Sequence, residues 1–291
     1  MTRQLLALAL AFFVGGSVED RQQVFRSRTD AVIVPVSVVQ QGRAVEGLTA
    51  GDFEVRDNRV VQVIADVTTD RLPIDVTLVI DLSQSVNDAQ LDDLREAARQ
   101  VGGALSALDR CKVVVFGRRI RQLATIGPPP CAFSLVRSPD ARRPADSAVV
   151  DASILTLITE SRLDRRQLGI VLTDGLENAS FFDWATVLDA TGYSDVVWHT
   201  ILAPGTMSQA PRFRPLRDAV DRTGGDVIVL GSNDRISAAF LAAIEQFRAS
   251  YLLRFTPTGV KPEGWHTLDV KATDPRAKGA RVSFRQRYFG G

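Results

Sequence analysis

Neither charge of one sign nor long apolar stretches dominate this chain. Basic and acidic residues nearly cancel, 35 against 34, for a formal charge of +1, and lysine occurs only at positions 112, 261, 271 and 278. That balance lacks the clustered basic excess that nucleic acid or an anionic membrane surface would demand. Beyond the N-terminus no segment is apolar enough to span a bilayer as a helix. There is no glycine-rich dinucleotide fingerprint, no phosphate loop and no Gly-x-Ser-x-Gly elbow after a strand, so the sequence signatures of nucleotide-dependent and serine-hydrolase chemistry are missing. Internal repeats and low-complexity tracts are absent as well. Histidine occurs only at 199 and 266, and both positions read as strand interiors, so neither is placed to act as a base.

What is present begins with Arg3, an apolar run from Leu5 to Val14, and the small residues Gly15-Gly16-Ser17. Basic, apolar and small in that order read as a secretory signal over positions 1–17, too short for a membrane span. No cysteine follows the run, which argues against a bacterial lipid anchor. The expected setting is secreted or periplasmic, with no stable membrane insertion after cleavage. In that oxidising setting Cys111 and Cys131, which flank a hairpin expected over Lys112–Phe116 and Ile120–Thr125, favour a bridge. Two buried free thiols give the same sequence pattern.

Continuous apolar runs at Val76–Ile80, Val113–Phe116, Gly169–Leu172, Val196–Leu202 and Val227–Leu230 suit strands buried on both faces. Between them, Leu91, Leu94, Ala98, Val101, Leu105 and Leu108 step at helical spacing, with Asn87 and Gln90 resembling a capping box. Ile236, Phe240, Ile244 and Phe247 form a similar face, and Pro215 suits the first turn of a shorter helix. The pattern predicts a doubly wound α/β fold with a mostly parallel sheet and helices on both faces. Both ends of the chain read as strands. Ala31–Val39 carries Pro35, which suggests an edge or a bulge, and 52–56 with 60–64 form a hairpin about Asp57-Asn58. Tyr251–Phe255, His266–Val270 and Arg281–Phe284 close the chain. The expected organisation is N-terminal strands over 18–71, an α/β domain over 72–248 and C-terminal strands over 249–291 that pack with the first set as one β module.

In an open α/β sheet, ligands bind beyond the carboxyl ends of the strands. After the first run comes Asp81-Leu-Ser83-Gln-Ser85, after Leu172 comes Thr173-Asp174-Gly175-Leu-Glu177-Asn178, and Ser147 lies in the loop entering the next helix. Carboxylates and hydroxyls suit a hard divalent cation. Glu177 reads as a solvated loop carboxylate, and Trp184, Trp198 and Trp265 read as packing.

Together these loops resemble the von Willebrand factor type A domain, whose metal-ion-dependent adhesion site uses Asp-x-Ser-x-Ser, then a Thr, then an Asp on three successive loops. The resemblance places Asp81, Ser83 and Ser85 on the first loop, Ser147 on the second and Asp174 on the third. Ser147 departs from the family's Thr but keeps the hydroxyl, within Ser147-Ala-Val-Val-Asp151-Ala152. The similarity covers about Leu72 to Arg248, and the flanks Gly47–Val55 and Tyr251–Phe255 resemble a bacterial group related to these domains. It implies a Mg²⁺ site, with Mn²⁺ or Ca²⁺ as alternatives, that binds an acidic side chain of a protein partner. It implies no enzyme, and it implies coupling of the last helix, about Asp234 to Arg248, to ligand binding. A metal-dependent hydrolase and an ion-free envelope scaffold are the alternative readings.

Overall fold

The computed structural model describes residues 31–69, 72–83, 88–130, 146–158, 162, 164–206 and 210–290. By its contacts the chain divides into units Met1–Asp30 and Ala31–Gly291. The signal read at 1–17, the cap at Asn87 and Gln90, Ser85 and Cys131 all lie outside the described residues or side chains. Cys111 is buried and disulfide-bonded.

The chain enters through β1 (Val32–Gln40), β2 (Arg43–Ala44), β3 (Phe53–Asp57), β4 (Val60–Gln62) and β5 (Ile64–Thr68). An α/β run follows: β6 (Ile74–Asp81), α1 (Asp88–Ala104), β7 (Arg110–Phe116), β8 (Arg121–Gly127), α2 (Val149–Leu157), β9 (Arg166–Thr173) and α3 (Trp184–Ala190). It continues through β10 (Val197–Leu202), α4 (Arg214–Arg222), β11 (Val227–Val229) and α5 (Ile236–Arg248). The chain ends in β12 (Tyr251–Phe255), β13 (Gly264–Ala272), β14 (Arg281–Phe284) and β15 (Arg287–Gly290).

The α/β class predicted from the apolar runs is what the chain adopts. Its six-stranded sheet has the order β11-β10-β9-β6-β7-β8, parallel throughout except for β8, which returns antiparallel to β7. Every residue of β6, β9 and β10 is buried, which is why these strands read as unbroken apolar runs rather than alternations. Leu78, Ile80, Val113 and Ile170 pack on one face with Leu94 and Val101 of α1 and Phe240 and Ile244 of α5. Val79, Val114, Val171 and Trp198 pack on the other with Val150 of α2, Val187 of α3 and Leu216 of α4. The apolar stripe read for α1 ends with buried Leu105, the residue just after the helix, and Leu108 beyond it is 71% exposed. Because β6 sits between β9 and β7, the strand order turns at β6, and the crevice beyond its carboxyl end is where a ligand fits.

Strands from the two ends pair with one another, in sheets ordered β14-β1-β12-β5, with β2 on β1, and β15-β13-β3-β4. Val34, Val36, Val55, Leu253, Phe255 and Val270 share one core. Three expectations are corrected here. Pro35 is not on an edge strand, because β1 is flanked by β12 and β14. It is tolerated because β14 pairs only with Val36–Val39, which leaves Pro35 paired on one side. The stretch 60–64 is not one strand. It breaks at Val63, 81% exposed, so that β4 joins β3 while β5 joins β12 in the other sheet. The hairpin turn is Asn58-Arg59, both at positive φ, rather than Asp57-Asn58. Asp57 instead closes β3 with its carboxylate buried between His266 Nδ1 at 2.8 Å and the Tyr288 hydroxyl at 2.6 Å.

His199 is buried in β10, and its Nδ1 accepts the Asp226 N–H at 3.2 Å. Burial pushes its pKa down to about 4, against the opposing charge of Asp226. In the unfolded chain the group returns to about 6.5, so the unfolded state binds the extra proton below that pH. The stability contributed by neutral His199 is therefore complete above pH ~6.5 and falls as the pH drops toward ~4, by about 2 kcal/mol at pH 5. Urea midpoints at pH 7 and pH 5 should show this loss in the parent chain and not in His199→Gln.

Candidate metal centre

Asp81 is the last residue of β6 and is 1% exposed. Its Oδ1 accepts the Ser83 N–H at 2.9 Å, a turn that folds the chain back over the strand end. Its Oδ2 accepts the Ser147 hydroxyl at 3.1 Å and the Thr173 hydroxyl at 2.8 Å. One buried carboxylate thus gathers the Ser83 N–H and the hydroxyls of Ser147 and Thr173 from three loops. Thr173, which the sequence reading names in the loop after Leu172 without giving it a role, is the added member. Its signal was present, since a Thr directly before the loop Asp174 must leave the sheet at the same rim. The Thr173 Oγ1 also accepts the Gly175 N–H at 2.9 Å.

Burial pushes the Asp81 carboxyl upward, hydrogen bonds from Ser83 and Thr173 draw it down, and the charge of nearby Asp174 raises it again. Among the described residues no basic side chain pairs with Asp81 or Asp174. A buried carboxylate beside a second carboxylate, with no cation to offset either, is costly unless a positive charge arrives from elsewhere. No group of three His, Cys, Asp or Glu side chains gathers among the described residues. The donors here are hydroxyl and carboxylate oxygens, the set a hard divalent cation accepts. Asp81, Ser83, Ser147, Thr173 and Asp174 fit such an ion on this chemistry, while Ser85 lies outside the described residues.

The third loop is built around glycine and two further carboxylates. Gly175 has φ +72, and a Cβ there would meet the Phe213 ring at 1.9 Å, so no other residue lets the chain turn over that buried aromatic. Asp174 Oδ1 accepts the Leu176 N–H at 2.8 Å. Glu177 is not solvated as expected. Its oxygens accept the N–H groups of Val150, Ala179 and Ser180 and the Ser180 hydroxyl, at 2.7 to 3.0 Å, which staples the loop to the start of α2. Asn178 strengthens the same joint: its side chain accepts the Ser147 N–H at 2.8 Å, and its own N–H donates to Ser147 O at 3.1 Å.

Three loops in the motif's order therefore meet at the turning point of the sheet, on one buried Asp. The chain resembles a von Willebrand factor A domain. Among solved structures it is similar to the von Willebrand A domain of SpRpn10, at 12% identity over 58% of this chain and 94% of that one, TM-score 0.39. It is similar to the manganese-loaded TRAP protein of Plasmodium vivax, at 13% identity over 82% of this chain and 99% of that one, TM-score 0.43. Proximal thread matrix protein 1 from the mussel byssus, with a zinc-occupied adhesion-site motif, shows 14% identity over 65% of this chain and 49% of its own length, TM-score 0.47. No family model matches the chain, and no curated protein sequence does.

Proposed function

We propose that this chain is an exported, metal-dependent protein-binding module in which Mg²⁺, with Mn²⁺ or Ca²⁺ as alternatives, recruits an acidic side chain of a partner. The carrying observation is Asp81, buried and bonded to Ser83, Ser147 and Thr173 beside Asp174, with no basic side chain paired to either carboxylate among the described residues. A cation held largely by neutral hydroxyls keeps positive charge with which to attract a carboxylate from outside. The residues of the chain position rather than react: Asp81 holds the Ser83 N–H and orients the Ser147 and Thr173 hydroxyls, Gly175 turns the third loop, and Glu177 fixes that loop against α2. Neither histidine supports a hydrolase, since His199 is bonded to Asp226 in β10 and His266 to Asp57 in β13. No helix among the described residues is long and apolar enough to cross a membrane. Export rests on the N-terminal pattern at 1–17.

Calorimetric titration of Mg²⁺ and Mn²⁺ into metal-stripped protein tests the site. Saturable binding in the parent chain and its loss in Ser83→Ala are the expected results. Equal heats in both proteins would overturn the assignment.

A further inference from the structure

Three large apolar side chains stand in the open beside the candidate donors. Leu176 is 42%, Phe181 89% and Phe182 47% exposed. They do not sit on slack chain. The Leu176 N–H is bonded to Asp174 itself, and the N–H groups of Phe181 and Phe182 both donate to the Asp151 carboxylate, at 3.0 to 3.1 Å. Asp151 lies in the first turn of α2, the helix that the Ser147 loop enters. The backbone carrying the two rings is therefore pinned to the first turn of the helix that follows Ser147. The rings pack edge to face with centroids 5.3 Å apart. Folding has fixed the backbone of two phenylalanines while leaving their apolar surface in water, so a partner covering them gains apolar burial against a largely pre-ordered loop.

The charge on this loop narrows the partner further. From Asp174 to Asp183 it carries Asp174, Glu177 and Asp183 and no basic residue. An acidic partner is repelled by the loop alone and attracted only through a bound cation, whereas an apolar neighbour of that acid meets Leu176, Phe181 and Phe182 directly. Resting on the metal-dependent reading above, we infer that the partner is a protein segment presenting its carboxylate next to an apolar side chain, which the two phenylalanines and Leu176 cover.

The test is selection of a random peptide library on the immobilised full chain, with excess Mg²⁺ and with chelator. The expected Mg²⁺-dependent pool carries Asp or Glu with Phe, Leu, Ile, Val or Met beside it. The double variant Phe181→Ser/Phe182→Ser changes exposed side chains only. It should keep calorimetric Mg²⁺ binding and the acidic consensus, lose the apolar neighbour, and bind the best parent-selected peptide about tenfold or more weakly. A Mg²⁺-dependent acidic consensus with polar or basic neighbours overturns this inference and leaves the proposed function standing. Equal capture with and without chelator, or no acidic consensus, overturns both.

Discussion

Asp81→Asn is expected to abolish the thermal stabilisation that excess Mg²⁺ confers on the parent chain, while leaving the metal-free protein at least as stable as the parent. A ligand that binds only the folded state stabilises it by about 2.7 kcal/mol at a hundredfold excess over its dissociation constant. For a domain of this size that corresponds to a rise in Tm of roughly 5–10 °C. The two halves of the prediction have different origins. Loss of the metal effect follows from removing the one carboxylate that collects Ser83, Ser147 and Thr173. Preservation of metal-free stability follows from the chemistry of the substitution. An Asn oxygen keeps the Ser83 N–H, its nitrogen faces two hydroxyls that rotate to accept, and an uncompensated buried charge beside Asp174 is gone. Scanning calorimetry with and without chelator reads both halves. An unchanged Mg²⁺-dependent shift in Asp81→Asn would remove Asp81 from the site.

That prediction is drawn almost wholly from positions legible in the sequence, for a physical reason. In β6 and β9 both faces are covered, so a run such as Val76–Ile80 has no polar alternation and its end is marked by a carboxylate, Asp81. The ligand-bearing ends of parallel strands are therefore sharply punctuated. Thr173 was named in the loop after Leu172 but given no role, because nothing in the sequence shows that its hydroxyl reaches Asp81 on another strand. Glu177 escaped because nothing in a loop sequence reveals that Val150, twenty-seven residues earlier, offers an N–H to it. The β strands at the chain ends were harder still. Whether Val60–Ile64 stays in one sheet or splits at Val63 depends on which distant strand each half meets, and the partners of β4 and β5 are β3 and β12. Alternation in β13 reports one covered face but not the identity of the cover.

The largest loss of stability is expected far from the rim, at Asp109. Its side chain is fully buried, and it accepts the Ile74 N–H at 2.8 Å, the Ser106 N–H at 2.6 Å and the Arg248 guanidinium at 2.6 Å. Ile74 begins β6, the strand that ends at Asp81, and Arg248 ends α5. One carboxylate thus ties the start of the site-bearing strand to the end of the last helix, at the end of the sheet opposite the candidate donors. Asp109→Ala leaves two N–H groups without acceptors and one guanidinium without its counter-charge, a loss of about 3–5 kcal/mol. Burial alone would raise this carboxyl, but the Ile74, Arg248 and Ser106 bonds hold it below the usual carboxylate range. A folded pKa below the unfolded one means that the contribution is complete above the unfolded value, about 4, and is lost as the pH falls through the folded value. Urea unfolding should therefore separate parent and Asp109→Ala widely at pH 7 and less at pH 3. Hydrogen exchange adds the functional question, because α5 runs through Ala249 and Ser250 into β12. Faster exchange over residues 245–256 in Asp109→Ala, with calorimetric Mg²⁺ affinity unchanged, is the outcome for a helix end that serves stability alone. A fall in Mg²⁺ affinity alongside that fraying would instead mean that the position of α5 is read at the Asp81 rim. That coupling would then run through β6, whose eight buried residues link Ile74, bonded to Asp109, with Asp81 at the candidate metal donors.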